Sequence, residues 1–344
     1  MKLGWTLTLL ALTGCSVSAL ARDVRSEEFQ ILAQDQAFEA KAAALNLEDP
    51  SYQLEYKPGG TSLGLKIKDP AGKSVGKFLP ANGAANSEAQ LVSHRLAQFL
   101  RMSALVVPSA PYTIGPRTTQ IFYGMLTSAN ERNQWRRENQ DELIEKIRAN
   151  PNSLAGVLTP KTDEWEALDV ANPDANTINR AHPIAQFIRA DGPRPTTREM
   201  SLKGVKAKNG STPTQSELEL SRQFSQIMVL DLLCGQWDRW SGGNVEASID
   251  GNGKLFFFAR DNGGASMRGT NQVTTYLKIV SRFDRAQIQR VQRLADLLSG
   301  PERNDLITAL RLKSDASSLL ARAQALLQHV RGLTQQWGEQ NVYF

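Results

Sequence analysis

The chain has 344 residues, 41% of them apolar, which suffices for one large domain or two lobes with a buried core and leaves no need for extensive disorder. A formal net charge of +5, with Lys and Arg spread along the chain instead of clustered in stripes, argues against a dedicated nucleic-acid protein and admits a phosphate-bearing or acidic partner. His94, His182, His329 and the two cysteines lie far apart without metal-ligand spacing, so a zinc site is not expected.

At the N-terminus, Lys2 precedes the apolar run GWTLTLLAL, too short for an ordinary membrane span. It reads as a bacterial export signal, with two cleavage readings. Leu12-Thr13-Gly14-Cys15 resembles a lipobox, which would leave Cys15 as a lipidated first residue and residues 1–14 as the signal. Ala19-Leu20-Ala21 is an ordinary small-residue site, which would make residues 1–21 the signal. An exported protein is expected either way, periplasm-facing on a lipid anchor or soluble. Cys234 is then the one candidate structural thiol, and no intrachain disulfide is expected.

Residues 22–50 include an Ala/Glu/Gln-rich stretch with Phe29, Ala33, Phe38 and Ala42 near helical spacing, predicting a helix outside the main body or linking it to a membrane. Strand-like sequence begins at Tyr52. Gly59-Gly60-Thr61-Ser62 opens a glycine-rich turn before a strand at 65–68, and a backbone turn of this kind can lay N–H groups against phosphate. Asp69-Pro70-Ala71-Gly72 turns the chain into a second strand that carries Lys77, Leu79 and Pro80. Ser87 and Gln90 have capping-box spacing at the start of a helix, with Glu88 in its first turn and Val92, Leu96, Phe99 and Leu100 on its apolar stripe. Strands at 111–114 and 120–126 would complete a small sheet of about five strands, a size usual for sheets.

Residues 129–210 are polar and punctuated by Pro and Gly, with a helix near 140–149; they read as an insertion, and Lys203, Lys206 and Lys208 as a solvated basic group. Thr212-Pro213 marks a helix start, and Leu220, Phe224, Ile227 and Met228 its buried face. Two further amphipathic helices follow, one ended by Gly300-Pro301 and the other near Gly332. The expected architecture is α+β and two-lobed: a small antiparallel-sheet lobe over 51–128 and a helical lobe over 129–344.

The segment 224–267 carries the candidate chemistry. Residues 245–249 alternate as a half-buried strand, Asp250-Gly251-Asn252-Gly253 is a turn, and 255–258 is an apolar return strand. Folding about this turn sets Asn244 approximately opposite Asp261, with Asp238 on the turn leaving the preceding helix. Carboxylate and amide oxygens of this kind suit Mg²⁺ or Mn²⁺ held together with substrate phosphates. A second carboxylate could accept the proton of an attacking hydroxyl. The arrangement is that of phosphoryl-transfer sites in kinases.

The run Leu230-Asp231-Leu232-Leu233-Cys234-Gly235-Gln236-Trp237-Asp238-Arg239 resembles the catalytic loop of the phosphatidylinositol 3-/4-kinase-like superfamily, which includes HipA-type bacterial kinases and the secretory-pathway casein kinases. The resemblance runs from Gly59 to Phe344 and implies a two-lobed protein-kinase-like fold. It further implies Asp238 as catalytic base, Arg239 as support for the loop, Asn244 and Asp261 as metal ligands, and ATP or another nucleotide with Mg or Mn as cofactor. Glu88 would be the helix carboxylate that pairs with a strand lysine. Two departures stand out. Leu79-Pro80 replaces the usual Lys-Pro, which makes Lys77, on the same strand face, the substitute phosphate-binding lysine. Trp240-Ser241-Gly242-Gly243 replaces a shorter His-containing link. Transfer to a protein, lipid or small-molecule hydroxyl is expected; the alternative is an inactive pseudokinase serving as an envelope-tethered binding module.

Overall fold

Short strands with glycine and proline turns dominate the first half of the chain, and longer amphipathic helices dominate the second. The computed structural model describes residues 26–57, 62–81, 86–162, 165–167, 169–172, 177–240, 244–313 and 316–344. The export signal and Cys15, the tip Gly59-Gly60-Thr61 and the link Ser241-Gly242-Gly243 lie outside these residues.

Helix α1 (Ala33–Ala44) packs on the body instead of standing outside it. Its Asp35 is fully buried, with its carboxylate 3.4 Å from His94 Nε2 and accepting from Gln98 Nε2 at 3.2 Å. A buried carboxylate needs such partners, so the helix is anchored by its one polar residue on the inner face. Five antiparallel strands follow: β1 (Gln53–Tyr56), β2 (Leu65–Lys68), β3 (Ser74–Pro80), β4 (Ala110–Ile114) and β5 (Leu154–Pro160), in spatial order β1-β2-β3-β5-β4. The β2–β3 turn forms as its residues dictate, with Asp69 Oδ1 accepting from the N–H groups of Ala71 and Lys73 and Gly72 at φ +77°.

Between β3 and β4 lies α2 (Ser87–Phe99). Its cap is Asn86, whose Oδ1 accepts from Ala89 N–H at 3.2 Å, one residue before the expected Ser87. After β4 the chain departs from expectation. Residues 120–126 are not a strand; they belong to α3 (Pro116–Ser128), with Pro116 at a helix start and Phe122 and Leu126 buried four apart. The missing strand is β5, which follows α4 (Gln134–Ala149) and sits inside the stretch expected to be a polar insertion. It pairs on both sides, with β3 and with β4. A strand buried on both faces shows no alternation, so Leu-Ala-Gly-Val-Leu-Thr-Pro carries little strand signal. The sheet lobe therefore extends past residue 128 to Pro160.

Short two-residue strands, β6 (Trp165–Glu166), β7 (Ala171–Asn172), β8 (Thr177–Ile178), β9 (Glu199–Met200) and β10 (Gln215–Ser216), and helix α5 (Pro183–Phe187) lead into the helical part. Helix α6 (Glu217–Cys234) starts later than Thr212-Pro213 implies, because Ser216 Oγ caps Glu219 N–H at 3.2 Å. Strands β11 (Val245–Ile249) and β12 (Leu255–Ala259) form the hairpin, with β6 on its outer edge. Helices α7 (Val273–Leu277), α8 (Arg285–Ser299), α9 (Arg303–Ala309), α10 (Ser317–Trp337) and α11 (Glu339–Val342) complete the chain. Helix α10 runs straight through Gly332, which has open space around it, and stops at Gly338, whose φ of +77° ends the helix.

The apolar residues form two cores. One joins the sheet to α3 and α4 through Leu65, Ile67, Phe78, Phe122, Leu143 and Leu158. The larger joins α2, α6, the hairpin, α8 and α10. Helix α2 thus lies between two strands of the sheet in sequence but packs with the helices, and its Gln90 faces a crevice between the sheet and the end of the hairpin. The architecture is α+β, with a small antiparallel sheet and a helical region. Among the described residues no helix is long and apolar enough to cross a membrane.

The helical assignment of α3 has a direct test. Phe122→Ala should cost about 3–5 kcal/mol in urea unfolding. The exposed Gln120→Ala should stay within about 0.5 kcal/mol of the parent.

Candidate functional site

Helix α6 ends in Gly235, whose left-handed backbone (φ 67°, ψ 42°) is the ordinary glycine cap. A Cβ there would lie 2.5 Å from the Arg322 guanidinium, so close approach also requires glycine. The chain then turns through buried Gln236 and exposed Trp237 to Asp238 and Arg239. Tyr276 on α7 holds this turn by donating its hydroxyl to Gln236 O at 2.8 Å.

Arg239 organises the surroundings. It is only 2% exposed, and each of its five N–H donors has an acceptor. Two go bidentately to the Asp231 carboxylate on α6 at 2.8 and 2.9 Å. Nη1 donates to the carbonyls of Asn244 at 2.9 Å and Arg260 at 2.8 Å, and Nη2 to Asn262 Oδ1 at 2.8 Å. Burial opposes its charge, but the adjoining Asp231 carboxylate overrides this and holds the guanidinium above its ordinary pKa.

These bonds bring the hairpin's open end to the loop. The register is Val245↔Ala259, so continuing it sets Asn244 opposite Arg260, one residue short of the expected Asp261. The turn is wider than Asp250-Gly251-Asn252-Gly253 alone: Asp250 N–H donates to Lys254 O, and Ile249 pairs with Leu255. Asp261 nevertheless joins the site, because its backbone is left-handed (φ 52°, ψ 44°), a conformation that non-glycine residues adopt at a cost. Gln236 links the carboxylate residues: its Nε2 donates to Asp261 O at 3.2 Å and its Oε1 accepts from Asp238 N–H at 3.1 Å.

Asn244 Nδ2 donates to Asp238 O at 2.6 Å and to Asp238 Oδ2 at 3.2 Å. With its N–H donors turned to Asp238, the amide has its oxygen left to offer a cation. The oxygen donors of Asn244 and Asp261 therefore suit Mg²⁺ or Mn²⁺ shared with phosphates. Among the described residues no cluster of three or more His, Cys, Asp or Glu could hold a metal alone.

Two residues of this site escaped the sequence reading. Asn262 is buried as an acceptor for Arg239, and Gly264 allows Asp238 to approach, since a Cβ there would lie 2.7 Å from Asp238 Cβ. Both sit in Asp261-Asn262-Gly263-Gly264, which by sequence signals only a turn.

Across the crevice, Lys77 and Leu79 of β3 line a small cavity of about 40 Å³ with Lys57, Gln90, Arg260 and Asp261. Burial, then the charges of Arg260 and Lys57, lowers the Lys77 ammonium to about 8, against a smaller opposing pull from Asp261. Ser62 is buried, and its carbonyl accepts from Lys57 Nζ at 3.1 Å. Glu88 does not pair with Lys77. Its Oε1 accepts from Lys313 N–H at 2.5 Å, and Gln90 faces the cavity from α2 instead. Two residues along a helix are about 200° apart, so Glu88 and Gln90 cannot face the same way. Gln90 Nε2 is fixed by Ser109 Oγ at 3.0 Å. Cys234 is buried as a free thiol, which burial pushes up to about 12. A more voluminous cavity, about 760 Å³, is lined by Arg101, Glu219 and Phe256 among others and includes none of the expected site residues; volume alone does not mark the chemistry here.

No protein-family model and no curated protein matches the chain. Its fold is nonetheless that of a kinase-like protein. It is similar to the crystal structure of the Golgi casein kinase, with a TM-score of 0.56 at 12% identity, covering 90% of this chain and 79% of the other. The structure of the Golgi casein kinase with Mn/ADP bound is also similar, with a TM-score of 0.57 at 14% identity and the same coverage.

Removing one partner of the buried pair should be severe: Arg239→Met is expected to cost about 3–5 kcal/mol in denaturant unfolding, because Asp231, which burial already raises above its ordinary pKa, loses the cation that offsets that burial. Lys77 generates a pH signature. The unfolded chain holds this proton up to its ordinary value of 10.5 while the folded chain releases it near 8, so stability from this residue rises with pH between the two. The urea midpoint of the parent should accordingly gain on that of Lys77→Met between pH 7.5 and pH 9.5, values chosen about the cited pKa.

Proposed function

We propose that this protein is an exported atypical kinase that transfers the γ-phosphoryl group of ATP to a hydroxyl of a protein, lipid or small molecule. The observation that carries the reading is the joining of Asp238, Asn244 and Asp261 through Arg239 and Gln236 at the crevice beside Lys77. The kinase-like fold supports it, and the ADP and Mn of the similar Golgi casein kinase structure support a metal–nucleotide ligand.

In this reading Asp238 accepts the proton of the attacking hydroxyl while the acceptor oxygen bonds to the γ-phosphorus and the bond to the ADP oxygen breaks. Asn244 keeps the Asp238 carboxylate oriented through its 3.2 Å bond. Asn244 and Asp261 would hold Mg or Mn, which when bound neutralises charge on the phosphates. Arg239 positions the loop and does not touch the reacting atoms. Lys77 binds phosphate, aided by the turn at Gly59, Gly60, Thr61 and Ser62. Glu88 is assigned no catalytic part, because it is turned to Lys313. Lipidation at Cys15, or cleavage after Ala21, would place the enzyme outside the cytoplasm.

A second reading has its own observation. Leu79 and Gln90 line the cavity, and among the described residues no helix carboxylate pairs with Lys77, which favours a nucleotide-binding pseudokinase.

Incubation with ATP and Mn²⁺ or Mg²⁺ distinguishes the two. The enzyme should gain phosphate by intact mass or pass it to an added acceptor, chelation should abolish this, and Asp238→Asn should slow it about 10²–10⁴-fold. Metal-dependent thermal stabilisation by ATP without any transfer would instead establish the binding module. Absence of both would sink the nucleotide reading.

A further inference from the structure

Helix α2 buries a polar stripe beside its apolar one. Gln90, His94 and Gln98 are spaced four apart, which places them on one face of the helix, and they are 3%, 1% and 0% exposed. The stripe runs along α2 from the crevice at Gln90 to the docking site of α1 at Gln98. Polar side chains this buried cost stability unless they are partnered, and these are joined through two further buried residues, Asp35 and Ser109.

The links follow one another. Gln90 Nε2 donates to Ser109 Oγ at 3.0 Å. His94 Nδ1 meets the same residue at its N–H (3.2 Å) and its carbonyl (3.3 Å), so either tautomer of the ring has a partner there. His94 Nε2 lies 3.4 Å from Asp35 Oδ1, and Gln98 Nε2 donates to Asp35 Oδ2 at 3.2 Å. Burial opposes the Asp35 charge, but His94, Gln98 and the Leu32 N–H outweigh it and hold the carboxyl below its ordinary pKa. Of the 12 residues of α1, Asp35 and Ala42 are buried, and Ala42 belongs with Phe38 and Leu45 to the core of the sheet. The apolar residues of α2 belong to the other core. Helix α1 therefore straps the sheet to α2, and Asp35 is its buried contact on the α2 side.

We infer that Asp35 and His94 are positioning residues for the crevice: docking of α1 on α2 fixes, through Ser109, the Gln90 side chain that lines the cavity beside Lys77. Whatever holds or frees α1 then changes the shape of the crevice. The coupling itself stands on the bonds above, and its effect on ligand affinity rests on the nucleotide reading.

The side-chain amide of Gln90, assigned in heteronuclear NMR spectra of the full chain by its loss in Gln90→Leu, reports the coupling without any ligand. Asp35→Asn keeps the size of the side chain and removes its charge. It should shift the Gln90 amide and speed its exchange with water about tenfold or more, on the scale of a buried hydrogen bond to a charged group. Val92→Ala, on the apolar face of the same helix, should leave that amide in place. In titration calorimetry with ATP and Mn²⁺, Asp35→Asn should weaken binding about threefold to tenfold. In the Ser109→Ala background the same change should cost less than about twofold, because the path to Gln90 is already cut. Should Asp35→Asn fail to fold, His94→Gln takes its place in both measurements. A Gln90 amide that moves in Ser109→Ala but not in Asp35→Asn would overturn the proposal. So would one that moves equally in Val92→Ala, which marks general loosening, or losses of affinity that simply add. An amide that responds as expected in a chain that binds no ATP would uphold the coupling and remove the nucleotide reading.

Discussion

The bidentate Arg239–Asp231 pair is the constraint from which the site follows. A guanidinium buried to 2% exposure must place every donor, and this one reaches a helix, the start of β11, the end of β12 and the turn after it. The hairpin strands share a ladder with each other but not with the helix or the turn. Arg239 supplies the shared frame, and Asp231 keeps it charged in a place where burial opposes charge. Lysine could not replace it, having three donors on a flexible stem instead of five in a rigid fork.

The same solution recurs wherever irregular backbone is buried. Arg322 donates to the carbonyls of Leu233, Ser266 and Arg268, tying the end of α6 to the segment after Asp261. Arg282 donates to the carbonyls of Phe187, Gly192, Pro193 and Asn341, fastening the end of α5 and the loop beyond it to the C-terminal turn. These three arginines are the largest fully buried side chains among the described residues. Buried carbonyls outside helices and sheets need donors, and a forked cation satisfies several at once. Helical packing sets the overall form of this part of the chain, while these arginines hold the loops between the helices.

The crevice shows a different balance. On its lower side Asn244 donates to Asp238, and Gln236 bonds to both Asp238 and Asp261. On its upper side Lys57, Lys77 and Arg260 line one small cavity with Asp261, and Arg260 also meets Glu246 at 3.7 Å. Glu88 is turned away from this cavity toward Lys313.

Much of this was legible in the sequence where the signal is local. The hairpin strands 245–249 and 255–259, the Asp69 turn and the amphipathic stripes of α8 and α10 lie where periodicity and turn chemistry put them. The nearness of Asp238, Asn244 and Asp261 was legible too, because they flank one turn and one hairpin. Long-range packing decided the rest. Strand β5 lacks alternation because both its faces are covered, and α3 took the place expected for a strand because Phe122 and Leu126 meet the sheet from a helix. The one-residue register follows from the wider turn, and the Arg239 bonds to both strand ends are contacts that spacing cannot disclose. Lys57 joined the cavity only when the sheet closed over the hairpin, since residues 57 and 260 share no local pattern. The sequence by itself determined which chemical groups were available and which short segments would carry them; the tertiary structure decided which groups meet, because burial and charge pairing act between segments far apart in the chain.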